Sequence, residues 1–344
     1  MNISLFWSSN LRKDSETFNH WRHARISLST FHEATLLSHV KAGNTVRLYT
    51  YQMFNGLVKI PPEIIVEDAN QYYPAEDAFS ALKRGHSIAH ISDVVRLRSA
   101  VEHEAVVMDI DNIILRPFPE IDTFTSTMAA KTTGAMAIQF KDNHPPFRIK
   151  DGSWDGKALS VFPMKVHNSI TEDVEELCSK IESSLSKPPT KGTKGWNYVM
   201  WTLKDIANRY DNVHVMKPID TTPFPAWKSA GKCYSLDAPT KLDGITNVYG
   251  YVLPSIDQIL QESYCVQHFF ESAFKKADRL TDGFWQSIKV GSLLYEELNL
   301  VLGQDWIDKK CHTNLYQCGH NKRLSHSWSG FVCHCRYFSR HSSR

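Results

Sequence analysis

The sequence predicts an α/β domain, a mostly parallel sheet flanked by helices, followed by a basic tail. Three observations predict it. Strand-like and helix-like segments alternate from the first residues, as in βαβ units. An apolar helical stripe over 87–103 runs directly into a buried strand, Ala105–Met108. That strand ends in two acids, Asp109 and Asp111, at the edge where open parallel sheets bind ligands.

The composition agrees. Of 344 residues, 42% are hydrophobic and 22% charged, as in a soluble globular protein with a real core. A net charge of +2 excludes a dedicated nucleic-acid binder, which carries a basic field. No apolar run approaches the roughly 18 residues of a transmembrane helix. Because the chain opens almost at once on a strand, the sequence predicts no signal peptide and a cytoplasmic setting. Peripheral contact with a membrane through a surface patch stays open.

Ile3–Trp7 reads as the first strand. Residues 10–27, polar and basic around Trp21, read as a surface insertion with some helix. From Ser29 onward, Phe31, Ala34, Leu36, Leu37 and Val40 recur at helical spacing, and Gly43 closes the helix. Thr45–Tyr51 alternates and is β-branched and aromatic, so it is the second strand; Ile64–Val66 is a short third. Ser87–His103 is a helix buried through Ile91, Val94, Val95, Leu97 and Val101. Asp93 and Arg96 sit three apart on it and share a face. Taken alone they read as a surface ion pair. Ala89 and Ala100, near that face, are small enough to admit a ligand.

Ala105–Met108 is the central strand, and Ile113–Leu115 return to the core after the acids. Burying an unpaired carboxylate costs several kcal/mol, so two of them between core segments call for a positive partner. A divalent metal is the economical one, since a turn with two carboxylates offers hard oxygens and leaves room for water and phosphate. A plain turn capped by its own acids is the alternative. Beyond it, 135–140 and 213–216 read as strands, 142–156 as a loop, 170–185 as a helix, 187–195 as a basic loop and 196–210 as a helix. Residues 246–253 and 264–270 read as strands and 291–302 as a last helix.

The domain is expected over 1–305 and a basic tail over 306–344. After Asp308 there are seven Lys or Arg and no acid, with Cys311, Cys318, Cys333 and Cys335 among several histidines. That spacing fits no paired-ligand zinc pattern. A poorly ordered tail is expected, with a zinc site or a basic tether to anionic lipid as alternatives. Cys178, Cys233 and Cys265 read as ordinary buried thiols.

The pairing of Ser92-Asp93-Val-Val-Arg96 with Asp109-Ile-Asp111 across one short turn resembles the glycosyltransferases whose sugar-binding region carries an Asp-x-Asp motif. These include bacterial capsular and lipopolysaccharide sugar transferases, yeast-type mannosyltransferases and clostridial toxin catalytic domains. Phe6-Trp7, Leu36–Tyr51 and Asp68-Ala69 resemble other stretches of that family, as do Pro223–Trp227 and Val266-Gln-His268, more loosely. The resemblance spans roughly 1–275. The family's Gly-Gly turn is Glu104-Ala105 here, the Gly after its Trp is Ser8-Ser9, and about twenty residues are inserted before Leu28.

The resemblance implies a GT-A fold with a Rossmann-like sheet, a nucleotide-sugar donor such as a UDP-sugar, and Mn2+ or Mg2+. The acceptor would be a hydroxyl of a glycan or a lipid-linked acceptor, and the outcome retention of configuration. It implies that Trp7 stacks on the base, Asp93 binds ribose or sugar hydroxyls, and Arg96 binds the donor sugar. Asp109 would face sugar and metal, Asp111 would ligate the metal, and His268 would complete the metal or phosphate site. Chemically, a cation stabilises the charge growing on a departing diphosphate without proton transfer, and an indole supplies a flat apolar face. Core packing serves equally for Trp7, and a buried, satisfied ring for His268. Trp154, Trp196, Asn197 and Trp227 could pack on acceptor sugar or simply in the fold.

Two rivals use the same residues. A haloacid-dehalogenase-type phosphatase would attack phosphorus with Asp109. Against it, that motif usually opens its fold, and here about 100 residues precede it. A non-catalytic nucleotide-sugar-binding module would bind donor and metal without turnover.

Overall fold

The computed structural model describes residues 1–11, 17–56, 58–129, 157–189, 209–210, 213–216, 218–221, 254–268 and 290–310. Strands are β1 Asn2–Phe6, β2 Thr45–Thr50, β3 Ile65–Asp68, β4 Val106–Val107, β5 Asn112–Ile114, β6 Thr123–Ala129, β7 Lys157–Lys165, β8 Val213–Met216 and β9 Cys265–Gln267. Helices are α1 Phe18–His23, α2 Thr30–Lys41, α3 Ala75–Lys83, α4 Ile88–His103, α5 Thr171–Leu185, α6 Pro218–Thr221, α7 Ile256–Glu262 and α8 Leu293–Leu302.

Seven strands form one sheet in the order β3-β2-β1-β4-β7-β6-β8, and β5 pairs with β9 in a separate ribbon. The β3-β2-β1-β4 half is parallel. β7 then runs antiparallel between β4 and β6, and β8 is parallel to β6. The chain builds outward from β1 through β2 to β3, then crosses back to lay β4 on the other side of β1. The order therefore reverses at the β1–β4 boundary. In open α/β sheets the crevice beyond the carboxyl ends of the strands at such a reversal is where ligands bind.

Alternation along β1 sets the two faces. Ile3 and Leu5 join Leu36 of α2 and Val46 and Leu48 of β2 in one buried cluster. Phe6 faces the other way, with Val107, Ile91, Val94 and Val95, and the α5 residues Val174, Leu177 and Ile181. Ser4 lies on that second face, where its Oγ meets the Ser99 hydroxyl of α4. Arg98 ties α4 to α5 through both oxygens of Glu182, at 2.6 and 3.0 Å.

Local signals explain the helix ends. Ser29 caps α2 in a capping box that uses His32 where Glu or Gln is usual. Gly43, at φ +73°, turns the chain out of α2 toward β2. α4 starts at a Ser87 cap and ends at Glu104, whose φ of 48° lies in the left-handed region. Glu104 thus stands, as a non-glycine, where the turn demands a glycine-like backbone.

Several sequence expectations change. In the described part of the 10–27 stretch the expected helix forms as α1 and most side chains reach the surface, but Trp21 is fully buried between Tyr51 and Phe79, and its Nε1 donates to Ser9 O at 3.1 Å. One aromatic anchor among polar neighbours carries no period, so the sequence does not announce it. Ala89 and Ala100 form no common ligand-facing surface, since Ala89 is exposed and Ala100 is sealed in the core. β3 is an edge strand, and Ile65 and Val66 are exposed. β9 ends at Gln267 rather than running to 270. The chain also stays helical over 304–310, where Ile307 joins the core and Lys310 pairs with Glu33 at 2.7 Å. The expected elements over 135–156 and 246–253, the tail cysteines, and Trp154, Trp196, Asn197 and Pro223–Trp227 lie outside the described residues. Among the described residues no helix is long and apolar enough to cross a membrane.

Candidate functional site

The site is built where β1 and β4 end. Met108 N donates to Ser4 O at 3.2 Å, which carries the parallel pairing to the edge of the sheet. Alternation then decides direction. Val107 packs on the α4 face and Met108 on the other, so Asp109 falls on the α4 side. α4 returns antiparallel to β4, which puts its first three turns, and hence Asp93 and Arg96, beside that end.

Arg96 is the hub. Its side chain is only 5% exposed and reaches Asp93 Oδ1 at 3.0 Å and Asp109 Oδ1 at 2.5 Å. The same guanidinium donates to Met108 O at 2.7 Å and to the Ser92 hydroxyl at 3.2 Å. Its planar fork is filled by groups from α4 and from the end of β4. The surface-pair reading of Asp93 and Arg96 is overturned, because both are buried. Burial pushes the Asp93 carboxyl up to about 7; the Arg96 charge opposes the rise and the Asp109 charge adds to it.

Asp109 and Asp111 are partly exposed on the turn that follows. Asp109 accepts from Arg96 on Oδ1 and from Gln267 Nε2 on Oδ2, the latter at 2.8 Å. The Asn112 amide donates to Asp109 O at 2.8 Å and closes the turn. On the other side, His268 N donates to Asp111 O at 3.0 Å, so the ribbon holds the turn by its main chain as well.

His268 is placed differently from the implied role. Its ring is fully buried against Phe31, and its Nε2 lies 2.6 Å from Glu297 Oε2 of α8. Burial raises the Glu297 carboxyl, and the neighbouring His268 opposes that rise. The imidazole is thus engaged by α8 while its backbone serves the acid turn. Among the described residues, no three His, Cys, Asp or Glu converge as a metal cage.

Trp7 follows β1 at the same edge, with its N bonded to Tyr49 O at 2.9 Å. The indole is half-buried; Nε1 donates to Ser27 O at 3.0 Å, and the ring tilts against His32 at 4.4 Å. Burial holds His32 neutral, with its pKa lowered to about 3. Ser8-Ser9 bind the end of β2: Tyr51 N donates to Ser8 Oγ at 2.8 Å and Ser9 N to Gln52 Oε1 at 3.2 Å.

The structure therefore gathers Asp93, Arg96 and Asp109 into one chain of contacts, with Asp111 on the same turn and Trp7 after the neighbouring strand. It removes the His268 ring to Glu297. Sequence reasoning missed Gln267 and Glu297. Gln267 lies in the quoted Val266-Gln-His268 segment, but nothing local marks its partner. No family model matches the chain, and no curated protein matches it by sequence. Among solved structures it is similar to a PaToxG glycosyltransferase, at 11% identity and a TM-score of 0.34, over 61% of this chain and 70% of that one.

Proposed function

We propose that the chain transfers a sugar from a nucleoside-diphosphate donor, a UDP-sugar in the first instance, to a hydroxyl of a glycan or lipid-linked acceptor, with retention. The observation that carries this reading is the buried Arg96 joining Asp93 to Asp109 at the reversal of strand order. The resemblance of the Ser92–Arg96 and Asp109–Asp111 motifs to the sugar-binding region supports it.

The donor set fits Mn2+ or Mg2+. Two carboxylates on one partly exposed turn are hard oxygens, and such ions keep most of their shell for water and phosphate. Asp111 and Asp109 would hold the ion; when bound, it supplies Lewis-acid stabilisation of the departing diphosphate. Arg96 orients Asp109, and Asp93 holds Arg96 from the helix side. Trp7, anchored through Nε1, offers what remains exposed of its indole to the base. His268 contributes through its N–H to Asp111 O rather than through its ring.

The test is release of nucleoside diphosphate from UDP-glucose, UDP-N-acetylglucosamine and GDP-mannose with manganese chloride. Asp109→Asn and Asp111→Asn should each abolish turnover while leaving the unfolding midpoint close to that of the parent. Full activity in both variants refutes the reading. Turnover of a simple phosphate ester, with no sugar nucleotide consumed, would favour the phosphatase with Asp109 as nucleophile.

A further inference from the structure

We propose that Gln267 is a positioning residue that fixes the plane of the Asp109 carboxylate; the inference rests on the glycosyl-transfer reading above. Gln267 is 5% exposed and sits on β9 directly across from Asn112. Its Nε2 donates to Asp109 Oδ2 at 2.8 Å while Arg96 Nη1 donates to Oδ1 at 2.5 Å. The orientation of the amide follows from chemistry, because a flipped amide would set carbonyl oxygen against carboxylate, two acceptors with no proton between them.

Two donors on two oxygens do what one cannot. Arg96 alone leaves the carboxylate free to rotate about its contact. A second donor from a different element, 158 residues away in sequence, locks that rotation. A carboxylate offers about four acceptor positions. With one taken on each oxygen, Asp109 keeps acceptor capacity, and its side chain remains 38% exposed to solvent. The second donor is also neutral. Another cation beside Arg96 would cancel the negative charge that a metal or a sugar hydroxyl needs, whereas an amide directs the carboxylate without discharging it. The ribbon that carries Gln267 is itself fixed to the acid turn through His268 N and Asp111 O. Gln267 is thereby preset relative to the group it orients.

The experiment uses the full chain with the three sugar nucleotides and manganese chloride. Gln267→Leu removes the donor at similar size, and Gln267→Glu replaces it with a second carboxylate. Groups that orient metal-site ligands typically change activity or metal affinity by about 10–100-fold when removed. Both variants are expected to lose about that much in kcat, with donor KM within about threefold and melting temperature near the parent's. Free Mn2+ titrated by paramagnetic resonance should show affinity about tenfold weaker in Gln267→Leu. Unchanged kcat and Mn2+ affinity beside an active parent would overturn the role of Gln267 and leave glycosyl transfer standing. Losses that merely track the unfolded fraction would overturn it equally. A parent inert toward all three donors would overturn the glycosyl-transfer reading and this inference with it.

Discussion

Asp93 gives the sharpest test of the site's electrostatics. Its carboxyl is buried, shares Arg96 with Asp109, and is pushed from 3.8 to about 7, chiefly by burial. With both acids ionised, the three groups carry one net negative charge, and the more buried acid takes the proton. The folded chain therefore binds this proton more tightly than the unfolded chain. The associated stability is fully present below 3.8 and is lost as pH rises through about 7. Within that window the slope is about 1.4 kcal/mol per pH unit, or roughly 2–3 kcal/mol between pH 5 and 7. Asp93→Asn abolishes the titration and keeps the shape of the neutral acid. Urea unfolding of both proteins at pH 5, 6, 7 and 8 isolates the effect, because other titrating groups largely cancel in the difference. The stability of the parent relative to the variant should fall by roughly 2–3 kcal/mol from pH 5 to pH 7. A difference that stays constant over that range would refute the raised Asp93 carboxyl.

Two further outcomes test the fold around the site. Glu104→Gly relieves a left-handed backbone at a cost of one exposed hydrogen bond from Asn168, and should raise stability by about 0.5–1 kcal/mol. A measured loss in denaturant unfolding would show that the Asn168 contact outweighs the backbone strain. Trp21→Ala should cost about 3–5 kcal/mol, since the ring is fully enclosed. A loss below about 1 kcal/mol by the same measurement would return the 18–23 helix to the surface.

Much of this architecture is legible residue by residue. Ser29, Gly43 and the apolar spacing between them bound α2, and the alternation of Thr45–Thr50 marks β2. Asp93 and Arg96 share a face because helical geometry places i and i+3 together. Asp109 faces them because a strand alternates. What the spacing did not reveal was depth: the same i, i+3 pair serves equally well on a wet surface, and only tertiary packing takes these two out of water.

The contacts that complete the site are of another kind. Gln267 meets Asp109 because β9 pairs with β5 in one register, and a slip of one residue would turn its amide to the opposite face. His268 meets Glu297 because α8 packs over that ribbon. Local pattern, caps and alternation are properties of neighbouring residues, so the sequence by itself determined β1, β2, α2, α4 and the face on which the acids stand. Partners far apart in the chain are chosen by strand register and by which helix covers which face. Those choices depend on the free energy of the whole packed core, and only the tertiary structure decided them.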